Sequence, residues 1–297
     1  MSDGPVDLHI HSHFSCDADH APEELVAFAA AHGFRAVSIA DHDTVAAYPA
    51  AVREGEALGV EVIPSMEVTT LFDGREFHVL LPFVDWEAPG VSRIVERTVE
   101  SRFEEGRERV DLLRRAGVEI GWEDVVAATG GVAPLGVRIG QIILERPQDR
   151  GNPLLAKYRE PGNKDFGPYL FYRDYFTEGK PAYVAKRHIG LVEVLDLAPG
   201  TGSVPVLSHP GAYFQRTTRD DLVALKDRGL AGIEVYTSYH TESQVAEYKR
   251  LAEELDLVPT AGSDFHGRIK PHVAFGSLRD GRYWMVERLR AKKGNGT

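Results

Sequence analysis

Apolar residues in the first ninety positions follow two alternating rhythms. Short apolar blocks at residues 6–11, 36–40, 60–64 and 77–84 predict strands. Longer stretches at 22–32 and 45–58 carry helix formers. The first has an apolar stripe at Leu25, Val26 and Ala29, opens at Pro22 and closes at Gly33; the second ends at Gly59. Asp73-Gly74 marks a turn before the fourth strand. Short apolar strands alternating with helices predict a parallel sheet covered on its outside by helices.

The rhythm stops after Asp85. Residues 91–116 predict one long charged helix with Ile94, Val95, Val99, Phe103, Val110 and Leu113 at its apolar positions, and 122–128 a short one. The segment 147–168, punctuated by Pro147, Gly151, Pro153, Pro161, Gly162, Gly167 and Pro168, predicts a loop. Alternation then resumes, with helices near 191–197, 220–228 and 242–255 and strands near 204–208, 232–236 and 258–261. The expected organisation is one α/β domain built from 1–90 and 188–297, interrupted by a mainly helical insertion at 91–187.

Composition narrows the class. No run approaches the roughly 20 apolar residues of a membrane helix, and Asp3 and Asp7 occupy the place of a signal peptide's apolar stretch. The one cysteine, Cys16, permits no internal disulfide, so a cytoplasmic protein is expected. A net charge of −11 argues against long nucleic acid as a partner. The charge is uneven, however. Residues 91–187 hold 17 Lys+Arg against 15 Asp+Glu, while the rest holds 17 against 30. Most of the central cations suit a solvated helix face; a few suit an anionic substrate.

The chemistry lies in the strand ends. Asp7-Leu8-His9-Ile10-His11 and Ser263-Asp264-Phe265-His266 each offer two metal ligands at i, i+2 spacing, which a strand projects to one side. His42 follows the second strand, Glu67 the third and His209 the strand at 204–208, while His78 lies within the fourth. Sites of α/β proteins gather at the C-terminal ends of parallel strands. Any one of these residues alone suits a structural role, and Asp41 and Asp43 suit a helix cap. Their recurrence at equivalent points predicts a metal site of mixed nitrogen and oxygen donors, suited to Mn, Fe or Zn.

These segments, with Ala40-Asp41-His42-Asp43-Thr44, Met66-Glu67-Val68, Phe77-His78-Val79 and Ser208-His209-Pro210, resemble in order the motifs of the polymerase-and-histidinol-phosphatase (PHP) family. Gly232-Ile233-Glu234-Val235 and Gly179-Lys180-Pro181-Ala182-Tyr183-Val184 further resemble its branch of AMP and 3′,5′-nucleoside bisphosphate phosphatases, which carries a helical insertion. The resemblance implies a distorted (β/α)7 barrel holding three divalent metal ions. Carried over by motif, His9, His11, Glu67 and Asp264 would hold one metal. Glu67, His78 and His209 would hold a second. Asp17, His42 and His266 would hold the third, with Asp19, His13 and His20 as rivals to Asp17.

Such a centre implies phosphomonoester hydrolysis by a metal-activated hydroxide, with Glu67, His209 and Asp264 as its catalytic core and no covalent nucleophile. Cys16 is then a small filler. The expected substrate is a small nucleotide, AMP-like or a 3′,5′-bisphosphate, with the 5′ end of short RNA as an extension. Arg102, Arg107, Arg138, Lys180 and His240 are candidate substrate contacts. Histidinol phosphate is the alternative substrate. A non-catalytic regulatory barrel is a third reading, disfavoured because each motif keeps a competent ligand.

Overall fold

A computed structural model describes residues 3–15, 17–163 and 166–294; Cys16 lies outside them. In chain order the elements are β1 (Val6–Ile10), α1 (Pro22–Ala31), β2 (Ala36–Ile39), α2 (Tyr48–Leu58), β3 (Glu61–Val62), β4 (Glu67–Phe72) and β5 (Arg75–Leu80). Helices α3 (Pro89–Arg115), α4 (Trp122–Ala128), α5 (Gly136–Glu145), α6 (Gly167–Tyr175) and α7 (Leu191–Leu197) follow. The chain closes with β6 (Val206–Leu207), α8 (Arg219–Lys226), β7 (Gly232–Thr237), α9 (Glu242–Glu254), β8 (Val258–Gly262) and α10 (Tyr283–Gly294). No described helix is long and apolar enough to cross a membrane.

The chain divides into two compact units, Met1–Glu96 with Ile189–Thr297, and Arg97–His188. The second is helical and has its own core, which includes Val110, Leu113, Ile139, Ile143, Phe171 and Phe176.

The first unit departs from the expected single parallel sheet. Among the described residues, β1-β2-β3 form one parallel sheet and β4-β5-β6-β7-β8 another, with no closed sheet. β4 pairs antiparallel with β5, and β5 with β6; only β6-β7-β8 are parallel. The Asp73-Gly74 turn explains the reversal. Both residues have positive φ (49° and 74°), as a two-residue hairpin turn requires, so the chain folds straight back after Phe72. Glu67 therefore follows β3, as expected, and also opens a further strand, β4.

The two sheets meet through the residues that carry the chemistry. Isolated bridges join Ile10 to Phe265 and His42 to Glu67. The Asp264 N–H donates to the His9 carbonyl at 2.8 Å, and the His11 N–H to that of Phe265 at 2.9 Å. The Asp43 N–H reaches the Glu67 carbonyl at 2.9 Å. Chain ends separated by more than 250 residues are thus pinned together at the two i, i+2 pairs. Buried apolar side chains pack around this junction, among them Ile10, Val37 and Ile39 from the first sheet and Val68, Val79 and Ile233 from the second.

Candidate metal centre

Glu67 is the hub. In the β4–β5 hairpin it stands opposite Leu80, with His78 opposite Thr69, so the two side chains are diagonal neighbours on one face. Its Oε1 lies 3.0 Å from His78 Nδ1 and 3.1 Å from His209 Nε2, and accepts from Ser208 Oγ at 3.0 Å. Its Oε2 lies 3.3 Å from His9 Nε2, 3.4 Å from His11 Nε2 and 3.2 Å from His42 Nδ1. One buried carboxylate thus faces five imidazoles.

Three groups of ligand atoms converge. His9, His11, Glu67 and Asp264 form the first. The two Nε2 atoms approach to 3.0 Å, and Asp264 Oδ1 lies 3.3 and 3.1 Å from them. The second gathers Glu67, His78 and His42, with His209 on the same carboxylate. The third brings together His11, His42 and His266. Asp17 joins it, Oδ2 lying 3.5 Å from His266 Nε2 and 3.8 Å from His42 Nε2. The His42 ring therefore stands between the second and third groups, whereas the motif resemblance had placed it with the third alone.

The rivals to Asp17 are engaged elsewhere. Asp19 accepts from Arg268 Nε at 2.5 Å and from its backbone N–H at 3.2 Å. His20 faces Glu24 at 3.4 Å, and exposed His13 lies against Phe14. Asp17→Asn is accordingly expected to weaken metal binding, and Asp19→Asn to leave its stoichiometry intact. Metal counts on the two variants check this.

Metals fit these groups on chemical grounds. Glu67 Oε2, Asp17 Oδ1 and His209 Nδ1 are buried and make no hydrogen bond, and buried polar atoms are seldom left so. Two ring nitrogens aimed at one another between two carboxylates are held more naturally by a shared cation than by a single proton. The protonation balance agrees. Burial opposes charge on His9, yet Glu67, Glu234 and Asp264 outweigh it and hold its pKa well above the usual value. Against the same penalty, the neighbouring carboxylates of Asp264 and Glu67 push His11 up to about 9, and those of Glu67 and Glu76 push His78 up to about 9. Burial would raise the pKa of Glu67, but the rings of His9, His78 and His42 keep it well below the carboxylate range. Asp264 is likewise held low against burial, by Lys270 and His266 first.

Without metal, protons therefore occupy the places of cations. Metal must displace them, because only neutral imidazole binds. Adding Zn²⁺ or Mn²⁺ to metal-free protein at pH 7 in weak buffer is expected to acidify the solution. A titration that binds metal without releasing protons would contradict this balance.

Among the supporting residues, Ser12, Ser15 and Lys270 carried no assigned role in the sequence, and Asp41, expected as a helix cap, instead serves the site. His11 Nδ1 meets Ser15 Oγ at 2.9 Å, and Ser15 donates to Asp41 at 3.0 Å. Asp41 also accepts from the backbone and hydroxyl of Ser12, at 2.7 and 2.6 Å. His9 Nδ1 faces Glu234 Oε1 at 3.1 Å, and Glu234 Oε2 accepts the His209 N–H at 2.8 Å. Lys270 is buried; its Nζ donates to Asp264 Oδ2 and to the Tyr239 hydroxyl, the latter at 2.8 Å. His209 and Asp264 both hold positive φ (24° and 56°), a conformation that costs non-glycine residues about 1–3 kcal/mol. These bonds hold them there.

The expected substrate contacts divide. Arg102, Arg107, Arg138 and Lys180 belong to the second unit. There Arg102 is buried, Arg107 lies over Trp122, Arg138 donates to Gln141 at 2.8 Å and Lys180 is exposed. His240 is in the first unit but uses both ring nitrogens internally. Nδ1–H donates to the Val235 carbonyl at 2.8 Å, and Nε2 accepts the Gly211 N–H at 2.9 Å. That pattern requires a neutral ring, and burial lowers its pKa, so it offers no cation to a phosphate. Its place is to brace the loop after His209.

Comparison with known proteins gives this geometry a lineage. A PHP domain profile matches residues 7–161. A phosphoribosyl 1,2-cyclic phosphate 1,2-diphosphodiesterase of Eggerthella lenta is 32% identical over 282 residues, 91% of this chain and 97% of that protein. A 5′-3′ exoribonuclease of Haemophilus influenzae is 26% identical over 88% of this chain and 89% of its own. A 3′,5′-nucleoside bisphosphate phosphatase of Chromobacterium violaceum is 24% identical over 88% and 87%. A solved structure from Bifidobacterium adolescentis, described as a candidate metal-dependent phosphoesterase, shares the fold with a TM-score of 0.82 at 24% identity, covering 97% of this chain and 96% of that one. With the profile spanning over half the chain and a relative aligned nearly end to end, the chain belongs to the PHP domain family and is a metal-dependent phosphoesterase.

Proposed function

We propose that the chain hydrolyses a phosphate ester carried by a phosphorylated ribose. The observation that carries this reading is the single buried Glu67 carboxylate ringed by five imidazoles, a bridging position between metal groups. His9, His11, Glu67 and Asp264 would hold one metal, Glu67, His78 and His209 a second, and Asp17, His42 and His266 a third. The metals, when bound, supply a water-derived nucleophile near neutral pH and positive charge for the phosphoryl oxygens. The chain's own part is positional. Glu234 and the Ser15–Asp41 pair orient His9 and His11, and Lys270 holds the outer oxygen of Asp264.

The substrate class rests on what the relatives' names share. A phosphoribosyl cyclic phosphate, a nucleoside bisphosphate and RNA are all phosphoesters of ribose. We read the two sheets as arcs of a distorted (β/α)7 barrel, meeting at the Ile10–Phe265 and His42–Glu67 bridges. Phosphate release from a nucleoside 3′,5′-bisphosphate and histidinol phosphate, ring opening of a phosphoribosyl cyclic phosphate, and release of phosphate or 5′-mononucleotide from a 5′-phosphorylated short RNA test the reading. Turnover of at least one ribose ester with histidinol phosphate spared is expected; turnover of histidinol phosphate alone would overturn it.

A further inference from the structure

The loop after β6 spends two consecutive aromatics beside the metal ligands. It begins at His209, turns through Pro210 and Gly211, and continues Ala212-Tyr213-Phe214. The loop is tied down on both sides. Gln244 Nε2 donates to the Gly211 carbonyl at 3.0 Å, and His240 accepts the Gly211 N–H at 2.9 Å. A Cβ on Gly211 would sit 2.6 Å from Gln244 Nε2 and 2.8 Å from the His240 ring, so the glycine lets both side chains approach closely. On the far side Gln215 donates to the Ser208 carbonyl at 2.9 Å and accepts the His78 N–H at 3.1 Å.

This bracing presents Phe214 to the ligands. Its ring centroid lies 5.3 Å from that of His78 and 5.4 Å from that of His209. Tyr213 stands at 89° to Phe214 with centroids 5.3 Å apart, and is 75% exposed. Among the described residues, the next most exposed large hydrophobic one is Phe166 at 47%. His78, beside Phe214, is one of the partly open ligands. The side chains of His9 and His11 are fully buried and that of Glu67 is 1% exposed, whereas those of His78, His42 and Asp17 are 11–14% exposed. A phosphoester entering over His78 thus passes the Phe214 ring, with the exposed Tyr213 phenol ring next to it.

We propose that Tyr213, backed by Phe214, is a stacking shelf for the base of a nucleotide, so that nucleotides are preferred over base-free ribose phosphates. The proposal deepens the ribose-phosphoester reading and rests on it. Every nucleobase has a π-face, so such a shelf selects for the presence of a base rather than for its identity. It favours the nucleotide-like relatives over the phosphoribosyl one as guides to the substrate.

Two measurements on metal-loaded protein test it. The first is Tyr213→Trp fluorescence, which AMP is expected to quench and ribose 5-phosphate to leave unchanged. The second is the ratio of kcat/KM for adenosine 3′,5′-bisphosphate to that for a base-free ribose bisphosphate. Tyr213→Ala is expected to lower this ratio about ten-fold, within the usual range for one stacked base. The ring is 75% exposed, so the variant should fold. Equal quenching by both ligands, no quenching by AMP, or an unchanged ratio would overturn the shelf. Selective quenching without turnover of any ester would support the shelf while removing the hydrolytic reading.

Discussion

Glu67→Gln is expected to strip the first and second metal groups together and to abolish phosphate release. The two oxygens of Glu67 lie within 3.4 Å of His9, His11, His42, His78 and His209. A glutamine keeps the shape but offers one acceptor oxygen, and its amide nitrogen can bind no metal. Losing an outer partner of a metal site costs roughly 10- to 100-fold in affinity, and losing a ligand shared between groups should exceed that. The metal-free protein should suffer too. The rings of His9, His11 and His78 hold raised pKa values partly because of Glu67. Removing its charge leaves buried cations poorly paired, a change worth about 3–5 kcal/mol in comparable breaks. Metal analysis, phosphate release and thermal unfolding on one preparation check all three effects. Wild-type metal content in the variant would mean that Glu67 is not the bridge.

The second large effect is expected at Glu234, which touches no metal position directly. Its Oε1 faces His9 Nδ1 and its Oε2 accepts the backbone N–H of His209. It thereby fixes a ring of the first group and the main chain of the second. Both oxygens act as acceptors, and only a carboxylate can satisfy both. In Glu234→Gln one contact must meet an N–H₂ donor. If the His9 contact fails, the ring can move its proton to Nε2, the atom that must be free to bind metal. Metal affinity should fall roughly 10- to 100-fold, with phosphate release partly restored by excess metal. Gly262→Ala should act through the same contact, because a Cβ there would overlap both Glu234 Oε1 and His9 Cβ. Chelator competition on the two variants measures the loss; wild-type affinity in both would remove Glu234 from this role.

Much of the site was legible because metal ligation imposes short spacings. His9 with His11 and Asp264 with His266 were visible as i, i+2 pairs; β8 ends at Gly262, however, so Asp264 and His266 lie beyond it and join different groups of the one cluster. The unequal use of the second pair came from the family motifs alone, since period-two geometry says only that two side chains share a side. Glu234 left a readable mark, an acid inside the buried apolar strand β7, where it needs a partner. Lys270 left none; its contact with Asp264 arises from the path of a loop.

The fold was legible in its parts and less so in its pairing. Short apolar strands look alike in either direction, so the antiparallel β4–β5–β6 arrangement had to come from the turn. Asp73-Gly74 was recognised, yet the β-branched run before it, Val68-Thr69-Thr70, was not taken as its other arm. Helices α5 and α6 were missed for local reasons. α5 begins at Gly136 behind an uncapped Leu135, and α6 begins with Gly167-Pro168, which reads as a loop. Packing in the helical core, not a start signal, holds them.

Metal dependence of phosphate release tests the central claim most directly. Protein stripped with chelator should release no phosphate from a ribose phosphoester, and stepwise return of Mn²⁺, Fe²⁺ or Zn²⁺ should restore release as the Glu67 groups fill. Phosphate release that persists in fully stripped protein, at the rate of the loaded one, would contradict it.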